Sequence, residues 1–85
     1  MIHILYKPTF VRAYKKLPID LKDEVKEKIE LFKKNPNNSS LKVHKLKGKL
    51  KSFWSFSVNY RYRIIFTKEK ESYVLLVVGD HDVYK

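Results

Sequence analysis

Two histidines and two arginines are the side chains of this sequence best suited to chemistry on a phosphodiester. Histidine gains and loses a proton near neutral pH, so His44 and His81 could divide the roles of general base and general acid. Arg61 and Arg63 are two residues apart, which on a strand points both guanidinium groups to one side, where they can hold a phosphate. This set predicts RNA cleavage without a metal. A base takes the ribose 2′ proton, cations stabilise the transition state, and an acid protonates the departing 5′ oxygen.

Each of these groups also has a simpler interpretation, which the sequence leaves open. The histidines could both be solvated, and the arginine stems could only cover apolar surface. A row of alternating lysines, called the basic row below, could follow a nucleic-acid backbone or guard the edge of a sheet. Tyr84 could stack on a base or pack the tail onto the sheet. The basic row consists of Lys45, Lys47, Lys49 and Lys51.

Charge and composition limit the partners and the compartment. The 85 residues include 19 lysines and arginines against 9 aspartates and glutamates, and the net charge of +10 favours nucleic acid over a membrane surface or an acidic protein. A basic surface for solubility alone is the simpler explanation, although acidic residues serve that purpose better. There is no cysteine, glycine-rich phosphate loop, metal-ligand spacing or membrane-spanning apolar run. We therefore expect a single domain over residues 1–85, in the cytoplasm, without cofactor or metal.

The spacing of apolar residues in the N-terminal half predicts a strand and two helices. Residues 2–6 are rich in β-prone side chains, and Pro8 suits the first turn of a helix that Pro18 then closes. Asp20 is the expected cap of a second helix, with apolar residues on one stripe. The turn-forming residues 35–40 end this helix.

The second half changes from the helical period to the alternation of strands. From Leu41 the alternation runs through the basic row and continues to Val58, which indicates a strand. Asn59 favours a turn, and a second strand follows over residues 60–67. After a charged connection, residues 73–79 are apolar on both faces, which is typical of a central strand.

These elements predict an α+β domain in the order β-α-α-β-β-β. Two N-terminal helices should pack on one face of a small, largely antiparallel twisted sheet, because two helices cannot cover both faces. The apolar residues of the helix-covered face are Trp54, Phe56, Tyr62, Ile64 and Phe66. The opposite face carries Ser55, Ser57, Arg61 and Arg63.

Three segments of the chain resemble, in order and spacing, the RelE/ParE superfamily of toxins from toxin-antitoxin systems. The segments are HKLKG at 44–48, FWSFSVNYRYRIIF at 53–66 and VVGDHDVYK at 77–85, and YKKLP at 14–18 and KKNP at 33–36 fit as well. The resemblance spans nearly the whole chain and implies a RelE-like fold of the kind predicted above. For RelE and YoeB-like members it also implies an endoribonuclease that enters the ribosomal A site and cuts messenger RNA.

By this resemblance, four residues occupy positions of a catalytic site. His44 matches the candidate base that precedes a Leu-x-Gly motif, and Arg63 matches the arginine that contacts the scissile phosphate. His81 and Tyr84 match the C-terminal site residues. The ParE branch inhibits DNA gyrase without this site, so a gyrase inhibitor is the alternative function. A basic RNA-binding module without activity is a third.

The resemblance also implies a protein partner, an antitoxin that silences the toxin. Because the chain is strongly basic, we expect the binding segment of the antitoxin to be acidic and to wrap the basic face as it folds. A homodimer that buried this face would bring like charges together, so the free toxin is expected to be a monomer. No membrane partner is expected.

Overall fold

Two helices and a five-stranded sheet form the computed structural model, which describes residues 2–47 and 52–80. A short 3₁₀ turn at Ser39–Leu41 connects the helical part to the sheet. The α+β class predicted from the sequence is confirmed. In chain order the elements are β1 (His3–Tyr6), α1 (Pro8–Lys15), α2 (Ile19–Lys34), β2 (His44–Lys45), β3 (Trp54–Ser57), β4 (Tyr62–Glu69) and β5 (Ser72–Asp80).

The helices start and end close to the predicted positions, with one correction at the start of α2. Asp20 is not the cap, because the helix begins at Ile19 and Pro18 occupies the cap position. The carbonyl of Pro18 accepts a hydrogen bond from the amide of Lys22 at 2.9 Å, which closes the first turn one residue earlier. Asp20 lies inside that turn, where its charge still favours the positive end of the helix.

The strands lie in the order β1-β5-β4-β3-β2. Only β1 and β5 are parallel, and the other pairs are antiparallel, so the sheet is largely antiparallel as predicted. The strand expected to continue from the basic row to Val58 is two strands, β2 and β3, which pair with each other. The chain reverses between them, and the amide of Leu46 donates to the carbonyl of Phe53 at 2.9 Å. Alternation alone did not reveal this reversal, because both arms keep a period of two.

The core lies between the helices and one face of the sheet, as the sequence predicted. The ring of Phe32 on α2 stacks on Phe56 with centroids 4.5 Å apart and meets the edge of Phe66 at 5.2 Å. Trp54 and Tyr62 are only partly buried against this cluster. The buried core residues are Phe10, Val25, Ile29, Phe32, Leu41, Phe56, Val58, Ile64, Phe66, Leu75 and Val78.

The interior position of β5 ties the N-terminal part of the chain to the sheet. β5 lies between β1 and β4, as its apolar residues predicted. A register shift after Ile65 leaves Leu76 unmatched, and its carbonyl accepts a hydrogen bond from the hydroxyl of Thr9 on α1. In the described part of the chain, neither helix is long and apolar enough to cross a membrane.

Candidate functional site

His44 lies on β2, at the edge of the sheet, opposite Ser55 of β3. Its Nδ1 is 3.0 Å from the carbonyl oxygen of Lys42, and its Nε2 is 3.5 Å from the hydroxyl oxygen of Ser55. Because a carbonyl can only accept, Nδ1 carries the hydrogen, and in the neutral ring the lone pair is on Nε2. The Nε2 atom of this exposed side chain is therefore the one able to take up a proton.

The carbonyl that orients His44 belongs to a residue with an unusual backbone. Lys42 has φ 49° and ψ 46°, the left-handed conformation, and ends the 3₁₀ turn that Asn38 caps through its side chain. Among the described residues other than glycine, it is the one with a positive φ. Such a conformation is costly for lysine and persists only where the surroundings impose it. The Lys42 carbonyl, oriented by this conformation, accepts the hydrogen bond from His44.

Arg63 lies on β4, between Ser57 of β3 and Gly79 of β5. Its Nη1 donates to the carbonyl oxygens of Asn59 at 2.7 Å and Tyr62 at 3.1 Å. These bonds hold the half-buried guanidinium against the turn that precedes its own strand. The group has three further N–H donors, on Nε and Nη2, in the fixed fork that suits a phosphate.

His44 and Arg63 lie on the same face of the sheet, on either side of β3. The partner of His44 is Ser55, the partner of Arg63 is Ser57, and residues two apart on a strand share a face. From strand and residue spacings, their Cα atoms are separated by about 12 Å. The structure therefore brings together two of the residues proposed from the sequence.

The polar residues between His44 and Arg63 are buried, although they lie on the face away from the helices. Ser55 is 0% exposed and Ser57 is 7% exposed. Ile65, next to them on β4, is 4% exposed. The polar face predicted from the alternation of β3 is thus not an open solvated surface.

Arg61 requires a correction, because β4 begins at Tyr62 and not at residue 60. Arg61 is exposed in the turn before the strand, where its amide donates to the side chain of Asn59 at 2.8 Å. The period-two argument for a pair with Arg63 therefore does not apply. In the basic row, Lys45 and Lys47 are exposed, as predicted. Four other proposed site residues, Lys49, Lys51, His81 and Tyr84, lie outside the described residues.

Comparison with known protein families identifies the chain. A family model described as the RelE-like toxin of the type II toxin-antitoxin system HigB matches residues 10–81. The chain belongs to this family. The resemblance to the RelE/ParE superfamily is therefore confirmed over most of the sequence. A search of curated proteins found no similar sequence.

Solved toxin structures share the fold of this RelE-like toxin. YafQ from E. coli is 19% identical, with 96% of each chain covered and a TM-score of 0.79. The E. coli DinJ-YafQ complex gives 18% identity, coverage of 99% of this chain and 98% of the other, and a TM-score of 0.79. The RelBE2 toxin-antitoxin complex from Mycobacterium tuberculosis gives 19% identity, coverage of 94% and 98%, and a TM-score of 0.79.

The toxin also contains a brace that sequence reasoning did not identify. Asn59 was expected only to form a turn. In the structure, Asn59 Nδ2 donates to Glu24 Oε1 at 2.9 Å, and Asn59 Oδ1 accepts from the amides of Arg61 and Tyr62, each at 2.8 Å. The main-chain oxygen of Asn59 accepts from Arg63. One residue thus links α2, the turn and the candidate catalytic arginine.

A pocket of about 200 Å³ opens beside this turn. It contains three cationic side chains, and none of its described lining residues is acidic. An anion would find opposite charge and several hydrogen-bond donors in it. The described lining residues are Lys28, Ser40, Lys42, Ser57, Val58, Asn59, Tyr60 and Arg63.

Metal ligation finds no support in the described part of the toxin. Within residues 2–47 and 52–80, no group of three or more histidine, aspartate or glutamate side chains is arranged to hold an ion. Independence from metals and cofactors stays a prediction from the sequence.

Proposed function

We propose that this RelE-like toxin is a metal-independent endoribonuclease that cuts messenger RNA in the ribosomal A site and so inhibits translation. The observation that carries the proposal is the shared face of His44 and Arg63, with the lone pair of neutral His44 on Nε2. The two side chains flank β3 with Cα atoms about 12 Å apart, which allows a phosphodiester to lie between them. Membership in the RelE-like toxins and the net charge of +10 support the same substrate class.

In the proposed reaction, His44 Nε2 takes the proton of the ribose 2′ hydroxyl. The hydroxyl oxygen attacks the neighbouring phosphorus, and the bond to the 5′ oxygen breaks, which leaves a 2′,3′-cyclic phosphate on one fragment. The guanidinium of Arg63 stabilises the negative charge on the phosphate oxygens. His81 acts as the acid that protonates the 5′ oxygen, and Tyr84 completes the site. These last two roles rest on the resemblance.

The surrounding cations have a binding role in this proposal. Arg61 and the basic row would contact phosphates along the RNA and make its binding dependent on salt. Lys45 and Lys47 are exposed near His44, which supports this role. The contribution of Lys49 and Lys51 rests on the sequence alone.

We infer that the free toxin is a cytoplasmic monomer that an antitoxin with an acidic binding segment silences. DinJ-YafQ and RelBE2, which share the fold, are toxin-antitoxin complexes. The positive charge of this chain favours a segment of opposite charge.

Mapping of RNA ends in a reconstituted translation system tests the proposed function. With translating ribosomes present, we expect new 5′ ends within messages. These ends should still appear when a chelator removes other metal ions but leaves the ribosomal magnesium in place. His44→Ala should slow cleavage by about 10²–10⁴-fold and Arg63→Ala by about 10²–10³-fold. Arg61→Ala removes the same charge from the turn before β4 and should slow cleavage much less.

Full cleavage activity in both His44→Ala and Arg63→Ala would exclude this site. The same assay with free RNA separates dependence on the ribosome from general RNA cleavage. A gyrase supercoiling assay distinguishes the alternative class of function. Inhibition of supercoiling without any RNA cleavage would replace the proposed nuclease with a gyrase inhibitor.

A further inference from the structure

Tyr60 presents an aromatic ring to solvent at the tip of the turn between β3 and β4. Its side chain is 94% exposed, whereas the other large exposed hydrophobic residues in the described part of the chain range from 37% to 70%. Aromatic rings usually bury much of their surface because burial is favourable. A ring with so little contact to its own chain has its faces available to a ligand.

The turn that carries Tyr60 is held at both ends and at its side. Asn59 accepts hydrogen bonds from the amides of Arg61 and Tyr62, and its amide group donates to Glu24 on α2. The amide of Val58 donates to the carbonyl of Tyr62 at 3.0 Å and continues the strand pairing. A ring on a fixed turn binds with little loss of backbone freedom, which favours affinity.

The pocket beside Tyr60 has the chemistry of an anion site. Lys28, Lys42 and Arg63 line it, and among its described lining residues Val58 is the one apolar residue besides the tyrosine. A protein-binding hot spot centred on tyrosine would normally be surrounded by other apolar groups. An aromatic ring next to cations matches single-stranded nucleic acid, whose bases stack while its phosphates bind positive charge.

We propose that Tyr60 and this pocket form a nucleotide subsite for single-stranded RNA. The ring of Tyr60 stacks on one base, and Lys28 and Lys42, together with Arg63, hold the phosphate next to it. The subsite rests on the proposed function, since it positions the RNA strand that Arg63 contacts at the cleaved linkage. It adds a residue that positions the base beside the cut.

The test uses RNA trinucleotides with 2′-O-methyl groups, which bind but cannot be cleaved because no 2′ hydroxyl is free. One trinucleotide carries all three bases, and in matched analogues a single base is removed. For the wild-type toxin, removal of the stacked base should weaken binding about tenfold. The base-removal ratio is the dissociation constant of the base-free trinucleotide divided by that of the intact one. Tyr60→Leu should bring this ratio close to one, and Tyr60→Phe should retain it. The matched control is Tyr6→Leu, which removes another exposed tyrosine, on the far side of β5. This variant should also retain the base-removal ratio.

A second series addresses the phosphate. Lys28→Met should weaken binding of the intact and the base-free trinucleotides equally, by about threefold. Lys22→Met is the control on the same helix, because Lys22 lies over the ring of Tyr14 and not at the pocket. An equal loss in both lysine variants would overturn the assignment of the phosphate to this pocket.

The remaining outcomes separate the subsite from the nuclease. A base-removal ratio unchanged by Tyr60→Leu, or no trinucleotide binding by the wild type, overturns the subsite even if ribosome-dependent cleavage occurs. If the base-removal ratio depends on Tyr60 but the toxin cleaves no RNA, the subsite is supported and the proposed function is refuted. If Tyr60→Leu weakens only the binding of the antitoxin, the surface belongs to a protein partner and the subsite is wrong.

Discussion

The helix-covered face of the sheet and the turn between β3 and β4 are neighbours, but different interactions hold them in place. In the core, Phe32 contacts Phe56 and Phe66 through ring faces and edges, and burial supplies most of the stabilisation. In the turn, Asn59 and Glu24 use directional hydrogen bonds at partly exposed positions. The core tolerates changes that preserve volume, whereas the turn depends on the position of individual donors and acceptors.

This difference suggests a division of roles within one small sheet. Apolar packing fixes the strands relative to α2, and the hydrogen bonds of Asn59 then fix the guanidinium of Arg63 relative to the strands. Side chains that bind a phosphate must be held closely to be effective. A change in the core should therefore alter the stability of the whole toxin, and a change in the turn should alter the geometry of the site more than the fold.

Truncation of a core ring tests the first half of this comparison and should have the largest effect on stability. Phe56 is 0% exposed and stacks on Phe32, so Phe56→Ala should lower the free energy of unfolding by about 3–5 kcal/mol. Phe56→Leu keeps most of the volume and should cost clearly less. Chemical denaturation measures both values. Equal stability of the alanine and leucine variants would mean that packing at this position does not hold the sheet.

The elements predicted correctly from the sequence are those whose apolar period persists over many residues. Val25, Ile29 and Phe32 repeat at helical spacing on α2, and the alternating residues of β4 show which face meets the helices. The split between β2 and β3 was missed, because a reversal leaves the alternation unchanged. The register that places His44 opposite Ser55 follows from this reversal and could not be predicted without it.

The site was only partly predictable, for a related reason. His44 and Arg63 were proposed from residue chemistry and resemblance, but their common face depends on the reversal between β2 and β3, which the alternation did not reveal. The contact of Asn59 with Glu24 spans 35 residues and involves no periodic pattern, so it could not be predicted. The exposure of Tyr60 was hidden by its assignment to a strand that in fact begins two residues later.

Substitutions at Lys42, which has a left-handed backbone, should have an effect of intermediate size on stability. Glycine adopts this conformation without steric cost and a β-branched residue does so poorly, so Lys42→Gly should be more stable than Lys42→Val by about 1–2 kcal/mol. The order should reverse at Lys45 in β2, where valine suits an extended strand better than glycine. Denaturation of the four variants provides the comparison. The same order at both positions would contradict the role assigned to the backbone of Lys42.

The smallest expected effect, and the most specific, concerns the brace between Asn59 and Glu24. Asn59→Asp keeps the oxygen that accepts from Arg61 and Tyr62 but replaces the donor to Glu24 with a second carboxylate, so the brace breaks. Adding Glu24→Gln restores it in reverse, because the glutamine amide can donate to the new aspartate. The double variant should recover about 1 kcal/mol of stability relative to Asn59→Asp alone.

Glu27→Gln combined with Asn59→Asp is the matched control for this exchange. Glu27 is exposed on the same helix, so the combination has the same net charge without restoring a partner for residue 59. The cleavage assay separates positioning from folding, since the double variant should regain both stability and the cleavage rate, whereas the control should regain neither. Equal recovery in both combinations would show that charge alone matters, and that the brace does not position Arg63.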